Sequence, residues 1–355
     1  MSDSLGLKVE YRALTQLPPV SDPWWHCVLG LAHFSQQSPR TPLDPIPVIQ
    51  IPMMAIPAGD TVCEVWRATG SMRNGQIGSV MFRATDQLLF GCISLPENGA
   101  SSSQGSPGHH ALEHATTVAY ADIFDALDTT GFPRLVRIWN HISAINEPVD
   151  DGDRYWLFNS ARHKRFIARR GVIEETVPAA SAVGTPSGNP LVIYFLATTA
   201  SVSTIENPRQ ISAYRYPQEY GPYSPTFSRA ALLTQAASCT LFVSGTASIV
   251  GHQTRHVDDV EAQTRETLAN IQALVRQANE RLGSNHLDIS KLSFKVYVRH
   301  PDDQATIAAE ILSVIGKLDQ VLFLQADVCR SDLLVEIEAV GVTPIGRAGR
   351  VGNST

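Results

Sequence analysis

Strand-like and helix-like segments recur in the same order in both halves of this 355-residue chain. That doubled order limits the folds open to it. In the first half VIQIPMMAI, VCEVWRA, SVMFRAT and LLFGCISLP read as strands, rich in Val, Ile and Phe with turn residues between them. ENGASSSQGSPGHH reads as an exposed loop. HALEHATTVAYADIFDALDTTGF has helical spacing and stops at Gly131 and Pro133. LVRIWNHI is a strand, DGDRYWLFNSARHKRFIARRG a second helix ending at Gly171, and NPLVIYFLATTA a buried strand. The second half repeats the order. CTLFVSGTASIVG is a strand, and DDVEAQTRETLANIQALVRQANERLG is a long helix with Val260, Thr264, Leu268, Ile271, Val275, Ala278 and Leu282 along one side. KLSFKVYVR alternates strictly, PDDQATIAAEILSVIG is a helix opened by Pro301 and acidic residues, and QVLFLQADV and LLVEIEAVGV are the closing strands.

The expected class is therefore α+β: two similar units, each a mixed β-sheet with two helices packed on one face. The expected limits are an irregular Pro-rich segment over 1–48, a first unit over 49–205, a second over 206–343 and a disordered tail over 344–355. The join falls near SVSTIENPRQ.

Composition excludes several function classes. A net charge of −6 is spread along the chain with no basic stripe, which argues against nucleic acid and anionic membranes as partners. No apolar run is long enough to span a bilayer. MSDSLGLKVEYRALTQ lacks a basic start followed by an apolar run, so no secretory signal is expected. Five cysteines are scattered without a CxxC pair, which fits a reducing cytoplasm better than a disulfide framework or structural zinc. His110 and His114 in GHHALEH stand at i, i+4, and GHQTRH adds His252 and His256, but no third ligand is fixed by spacing, and no metal is expected. Neither GxGxxG after a strand nor GxxxxGK[ST] occurs, so no nucleotide is expected either.

The last strand carries an anomaly. In LLVEIEAVG, Leu333, Val335, Ile337 and Ala339 share one face, while Leu334, Glu336, Glu338 and Val340 share the other. Residues two apart on a strand are separated by about 7 Å, and an uncompensated buried carboxylate is costly. That face is either wet, or a sheet-on-sheet contact with arginine partners, or part of a site. Arg330 precedes the strand, Arg299 ends the neighbouring one, and Arg229 sits in YGPYSPTFSRA.

The order SGTASIVG, long helix, KVYVR, helix, strand, VEIEA resembles the Rid superfamily of reactive-intermediate deaminases. SAYRYPQEYGPYSPTFSRA, followed by SGTASIVGH and CRSDLLVEIE, is more specific. It resembles the chorismatases, enzymes with a Rid-like (chorismate-mutase-like) fold that remove pyruvate from chorismate, and among them especially the xanthomonad-type bifunctional hydroxybenzoate synthases. The resemblance spans most of residues 50–342. It implies Glu336 as catalytic acid, Arg229 and Arg299 as arginines gripping the substrate, and Tyr214 as a further contact. Gly245 and Cys329 take the two pocket positions that separate the subtypes; cysteine with glycine is similar to the hydroxybenzoate-forming one, in which Cys329 steers the product. Arg162 is a candidate contribution from the first half.

The implied reaction is protonation of the enol-ether methylene, then release of pyruvate with 3- or 4-hydroxybenzoate, a pigment or quinone precursor, or a dihydroxy-cyclohexadiene acid. It needs no cofactor. Oligomeric state is left between monomer and homotrimer. Two other readings remain open from sequence: a Rid-type imine deaminase, and a non-catalytic small-molecule-binding protein on the same fold.

Overall fold

The computed structural model describes residues 6–36, 43–59, 61–97, 107–149, 152–171 and 177–345. Two seven-stranded sheets lie face to face. Across the first the strands run Asp327–Val328, Ala179–Thr185, Arg134–Ser143, Leu191–Thr198, Leu88–Leu95, Val80–Ala84 and Arg73–Ile77. Across the second they run Ser201–Ile205, Ala230–Thr234, Ser238–Thr246, Val335–Pro344, Ser293–Val298, Val321–Gln325 and Met54–Ala55. Helices α1 (Pro107–Thr130) and α2 (Arg154–Arg170) cover the outer face of the first sheet. Helices α3 (Val260–Leu282) and α4 (Gln304–Ile315) cover that of the second. Each unit is thus a mixed sheet with two helices on one face, as the doubled sequence order implies.

The parallel pairs explain why helices and strands alternate. A parallel pair needs a crossover, most often a helix. Helix α2 links Arg134–Ser143 to its parallel neighbour Ala179–Thr185, and α4 links Ser293–Val298 to Val321–Gln325. Helix α3 begins at Asp259, whose side chain accepts from the Ala262 N–H, and ends at Gly283 with a left-handed φ of 62°. Its stripe of Leu268, Ile271, Val275 and Ala278 is buried against Val335, Ile337 and Ala339 of the last strand.

Alternation then decides where Glu336 and Glu338 point. Since their neighbours face the helices, both carboxylates face the seam between the sheets. The seam core is aromatic: Trp139 and Tyr194 stack with ring centroids 4.4 Å apart, and Phe242 and Tyr297 come from the opposite sheet. Two short strands cross between halves. Asp327–Val328 pairs with Gly184 and Val183 of the first sheet, and Met54–Ala55 with Gln325 and Leu324 of the second.

The N-terminal segment departs from the expectation of an irregular wrap over 1–48. Lys8–Ala13 and Val28–Phe34 are strands of a third sheet, ordered Lys8–Ala13, Val62–Arg67, Val28–Phe34, Val48–Ile51. The prolines that suggested irregularity stand between its strands. Leu29, Phe34 and Trp66 add to the seam core. Ala179–Thr185 is a further strand that its sequence does not announce, because AASAVGT is poor in the branched and aromatic residues that mark strands. Small side chains are needed there: a Cβ on Gly184 would come within 2.7 Å of both Asp327 and Ile145. Ser201–Ile205, read as the start of the join, is an edge strand of the second sheet, and the last strand continues to Pro344. Helix α1 starts at Pro107, inside the stretch read as a loop. Residues 98–106 of that loop, residues 346–355 of the tail, and the side chains of His109 and His110 lie outside the described residues. Among the described residues no helix is long and apolar enough to cross a membrane.

The third sheet docks by close approach. A Cβ on Gly30 would meet the Phe90 ring, with Cγ at 2.5 Å. Overpacking a dense core costs roughly 1–3 kcal/mol. Gly30→Ala should therefore lower unfolding stability by about 2 kcal/mol in urea titration. An unchanged midpoint would mean that the N-terminal sheet is not packed on the core as described.

Candidate active site

A cavity of about 280 Å³ lies between the two units. Both halves of the chain build it. Helix α2 contributes Tyr155 and Arg162, and the small-residue strand contributes Ala180, Ser181 and Ala182. The second unit contributes Tyr216, Tyr220, Phe227 and Arg229 from the segment before Ala230–Thr234. Gly245, the loop Cys329–Asp332 and Glu336 complete the wall. The low bulk of Ala180–Ala182 and Gly245 leaves the space empty of protein.

Glu336 and Glu338 are both buried, each 4% exposed, yet their surroundings differ. Glu338 is saturated with donors. Arg137 Nη2 is 2.5 Å from Oε2, Trp139 Nε1 donates to Oε1 at 2.8 Å, Ser181 donates to Oε2, and Lys295 Nζ is 2.7 Å from Oε1. Burial works against its charge, but Lys295 and Arg137 outweigh that and hold it down to about 2. Lys295 also pairs with Glu64 of the N-terminal sheet, which accepts from Trp66 and Tyr194. Glu336, by contrast, has no hydrogen-bond or ion-pair partner among the described residues. Burial first and the Glu338 charge second push it up to about 8, with Arg137 opposing. One carboxyl is therefore ionised and structural, the other neutral near pH 7 and free to face the cavity.

Gly245 makes this possible. A Cβ at that position would overlap the Glu336 carboxyl, with Cδ at 2.7 Å, and would stand 3.0 Å from Ser181 Oγ. The strand carrying Gly245 has a register irregularity between Val243 and Thr246, opposite the segment that bears Glu336. Cys329 lines the same cavity. Burial, then the Glu336 carboxyl, push its thiol up to about 12, so it is no thiolate at neutral pH.

Three guanidiniums, those of Arg162, Arg229 and Arg330, line the cavity without a carboxylate in ion-pair range among the described residues, and the first two are buried. Arg162 is 1% exposed. Its Nη2 donates to the Thr226 carbonyl at 2.9 Å, its Nε is unpaired, and rings of Tyr120, Phe158 and Phe166 surround it. Arg229 is 4% exposed. Its Nη2 donates at 2.7 Å to the Ile211 carbonyl and to the Tyr216 hydroxyl, and its Nε is also unpaired. An unpaired buried cation is expensive. Two of them beside a neutral acid fit a ligand with two anionic groups.

Of the residues singled out from sequence, Glu336, Cys329, Arg229, Gly245 and Arg162 share this cavity. Arg299 does not. The chain turns after Val298, and the guanidinium faces the loop returning at 327–334, bonding Asp327, Asn146 and three carbonyls. Tyr214 does not line it either; its ring packs against the core under α1 and α2. Tyr216 stands in the cavity wall instead. Four tyrosines crowd SAYRYPQEYGPY, and its short 3₁₀ turns at Ala213–Arg215 and Gln218–Tyr220 break any simple period. Arg330 was visible as a charge before the strand. Its guanidinium lies 3.9 Å from the Tyr220 ring centroid and donates to the His252 carbonyl. Ser181 carried no sequence signal.

Comparison with known proteins gives the family. A family model described as chorismatase FkbO/Hyg5-like, N-terminal, matches residues 64–197. A chorismatase from Streptomyces rapamycinicus is 36% identical, over 79% of this chain and 82% of its own length. The chain belongs to the chorismatase family. A 3-hydroxybenzoate synthase from Streptomyces hygroscopicus is 31% identical over 91% of this chain and 93% of its own. A crystal structure of a chorismatase superposes with a TM-score of 0.82 at 27% identity, covering 95% of this chain and 98% of that one. The family model matches the half with Arg162; the full-length relatives also span the half with Glu336.

Burial of a neutral acid leaves a trace in stability. Because the folded pKa of Glu336 lies above its unfolded value, the unfolded chain gains by ionising. The cost to folding begins above about pH 4.5 and levels off above about pH 8. Glu336→Gln should therefore raise stability at about pH 8.5 by roughly 2–4 kcal/mol and leave it nearly unchanged at about pH 4. Chemical denaturation at both pH values checks this; equal effects at the two would place the carboxyl in water.

Proposed function

We propose that this chorismatase protonates the enolpyruvyl ether of chorismate with Glu336 and releases pyruvate, leaving 3- or 4-hydroxybenzoate as principal product. The observation that carries the reading is the conjunction of one neutral buried carboxyl with two buried arginines, Arg162 and Arg229, that no carboxylate pairs directly, in one cavity. Chorismate is a dianion with an acid-labile vinyl ether, and a planar guanidinium matches each carboxylate bidentately. Arg162 and Arg229 take those roles, and Tyr216 orients Arg229 through its hydroxyl. Binding the dianion adds negative charge beside Glu336, which favours its protonated form further.

Proton transfer from Glu336 to the methylene carbon makes a methyl group and an oxocarbenium ion stabilised by the ether oxygen. The aromatising route takes one of two forms. In one, the ring carbon–ether oxygen bond breaks, the ether oxygen leaves as the pyruvate carbonyl, and the ring loses a proton to give 4-hydroxybenzoate. In the other, the ring hydroxyl oxygen adds to the oxocarbenium carbon and leaves the ring as the pyruvate carbonyl, while the ether oxygen stays and the ring loses a proton to give 3-hydroxybenzoate. No water is gained or lost overall in either form. In the hydrolytic route water adds to the cation, and the hemiketal collapses to pyruvate and a dihydroxy-cyclohexadiene acid. Cys329, protonated and against the ring, steers between the two. Gly245 and Cys329 together favour the aromatic product, in keeping with the name of the 3-hydroxybenzoate synthase relative. Five free cysteines support a reducing, cytoplasmic setting. A cavity lined by both halves of one chain suits a functional monomer.

Chromatography of products after incubation with chorismate tests the reading, with pyruvate and hydroxybenzoate expected in equal amounts. Glu336→Gln should bind chorismate yet turn over at least about 10³-fold slower, whereas Arg162→Gln should weaken binding by about tenfold or more. Cys329→Ala should move product toward the dihydroxy diene. Turnover of Glu336→Gln near that of the wild type removes the proposed acid, and an unaltered product ratio in Cys329→Ala removes the steering role.

A further inference from the structure

We infer that Arg299 is a positioning residue that sets product partition by clamping the loop that carries Cys329 and Arg330. This rests on the reading of the cavity given above. A guanidinium has five N–H donors in a rigid fork, and here each is directed at a partner. Nε donates to the Leu333 carbonyl at 2.8 Å. Nη1 donates to Asn146 Oδ1 at 3.2 Å and to Asp327 Oδ1 at 2.6 Å. Nη2 donates to the carbonyls of Val328 at 3.1 Å and Arg330 at 2.9 Å. The Arg299 backbone N–H adds a bond to the Leu334 carbonyl at 3.0 Å. The fork thus gathers the two ends of one loop, Asp327–Val328 and Leu333–Leu334, around its own centre.

The loop has other ties: Gln263 donates to the Asp332 carbonyl and accepts from the Leu334 N–H, and Arg330 donates to the His252 carbonyl, but Arg299 bonds both of its ends at once. Residues 329–334 contain no helix or strand. Beyond a turn bond from the Leu333 N–H to the Arg330 carbonyl and the Arg299 N–H on Leu334, the carbonyls of Arg330, Asp332 and Leu333 are met by side-chain donors. The loop lies between two fixed anchors: Val328 is paired to Val183 of the first sheet, and Val335 begins the last strand of the second. Asn146 belongs to the first unit, so Arg299 also ties the loop to both halves. Cys329 and Arg330 stand between the clamped carbonyls and face the cavity. With every N–H engaged and the side chain 11% exposed, Arg299 has no donor left for a substrate carboxylate. Its effect on the reaction runs through the position of Cys329.

Lysine keeps the charge but offers three donors from a single point, so it cannot hold both ends of the loop. In Arg299→Lys, alkylation of Cys329 by iodoacetamide, followed by peptide mass mapping, should be about tenfold faster than in the wild type, as expected for losing one charge-assisted bond's worth of local stability. With chorismate, KM should change by less than about twofold while the share of dihydroxy diene rises. In a Cys329→Ala background, adding Arg299→Lys should shift the products no further, which a merely structural weakening would not produce. A KM increase of about tenfold or more with unchanged alkylation and product ratio would overturn the clamp and make Arg299 a substrate ligand. If the wild type releases no pyruvate, the proposed function fails, and the alkylation rate alone still decides the clamp. If Arg299→Lys does not fold, Asn146→Ala frees one N–H and should show the same changes at smaller amplitude; wild-type behaviour in both readouts would overturn the inference.

Discussion

Two carboxylates at alternate positions of one strand cannot share a dry seam on equal terms. The structure divides them. Glu338 takes the charge, because Arg137 on one sheet and Lys295 on the other meet it with hydrogen bonds and full burial. Glu336 gives the charge up, since no donor reaches it and its ionised neighbour repels a second charge. Cavity, acid and ligand charge all depend on that split.

The same contact explains the stacking of the sheets. A buried ion pair is weak evidence for stability, but breaking one by removing a partner is severe. Arg137, Glu338, Lys295 and Glu64 form a chain that runs from the first sheet through the second to the N-terminal sheet. Removing any member strands a charge. The network therefore fixes the relative placement of three sheets, and with it the close approach of Gly245 to Ser181 and to the Glu336 carboxyl. The large aromatic core beside it excludes water, which keeps the interactions strong.

Much of this was legible in the chain. Strict alternation over Leu292–Arg299 and Leu333–Val340 is a period only a strand satisfies, and it separated the helix-facing residues from the seam-facing ones. Helix α3 is marked by its apolar stripe, α2 by its stop at Gly171, and α4 by Pro301 and the acidic residues at its start. Ala179–Thr185 carries no such mark, because its residues were set by the need for empty space rather than by strand propensity. The N-terminal sheet was hidden by the prolines between its strands. Residues such as Glu336 and Arg229 came from a motif resemblance, whereas Arg299 and Tyr214 were misplaced for geometric reasons. Sequence shows that Arg299 ends a strand, but not that the chain then turns and meets a loop that starts 28 residues downstream. Nor does it show which of several tyrosines a 3₁₀ turn aims inward.

The protonation state of Glu336 is the claim on which the rest stands. Side-chain carboxyl carbons observed by ¹³C NMR in a glutamate-labelled sample, assigned by the loss of one resonance in Glu336→Gln, measure it without turnover. The account predicts one glutamate that titrates at about 8 and a second, Glu338, that stays ionised down to about 2. A Glu336 resonance titrating near about 4.5, the ordinary range for glutamate, would contradict it.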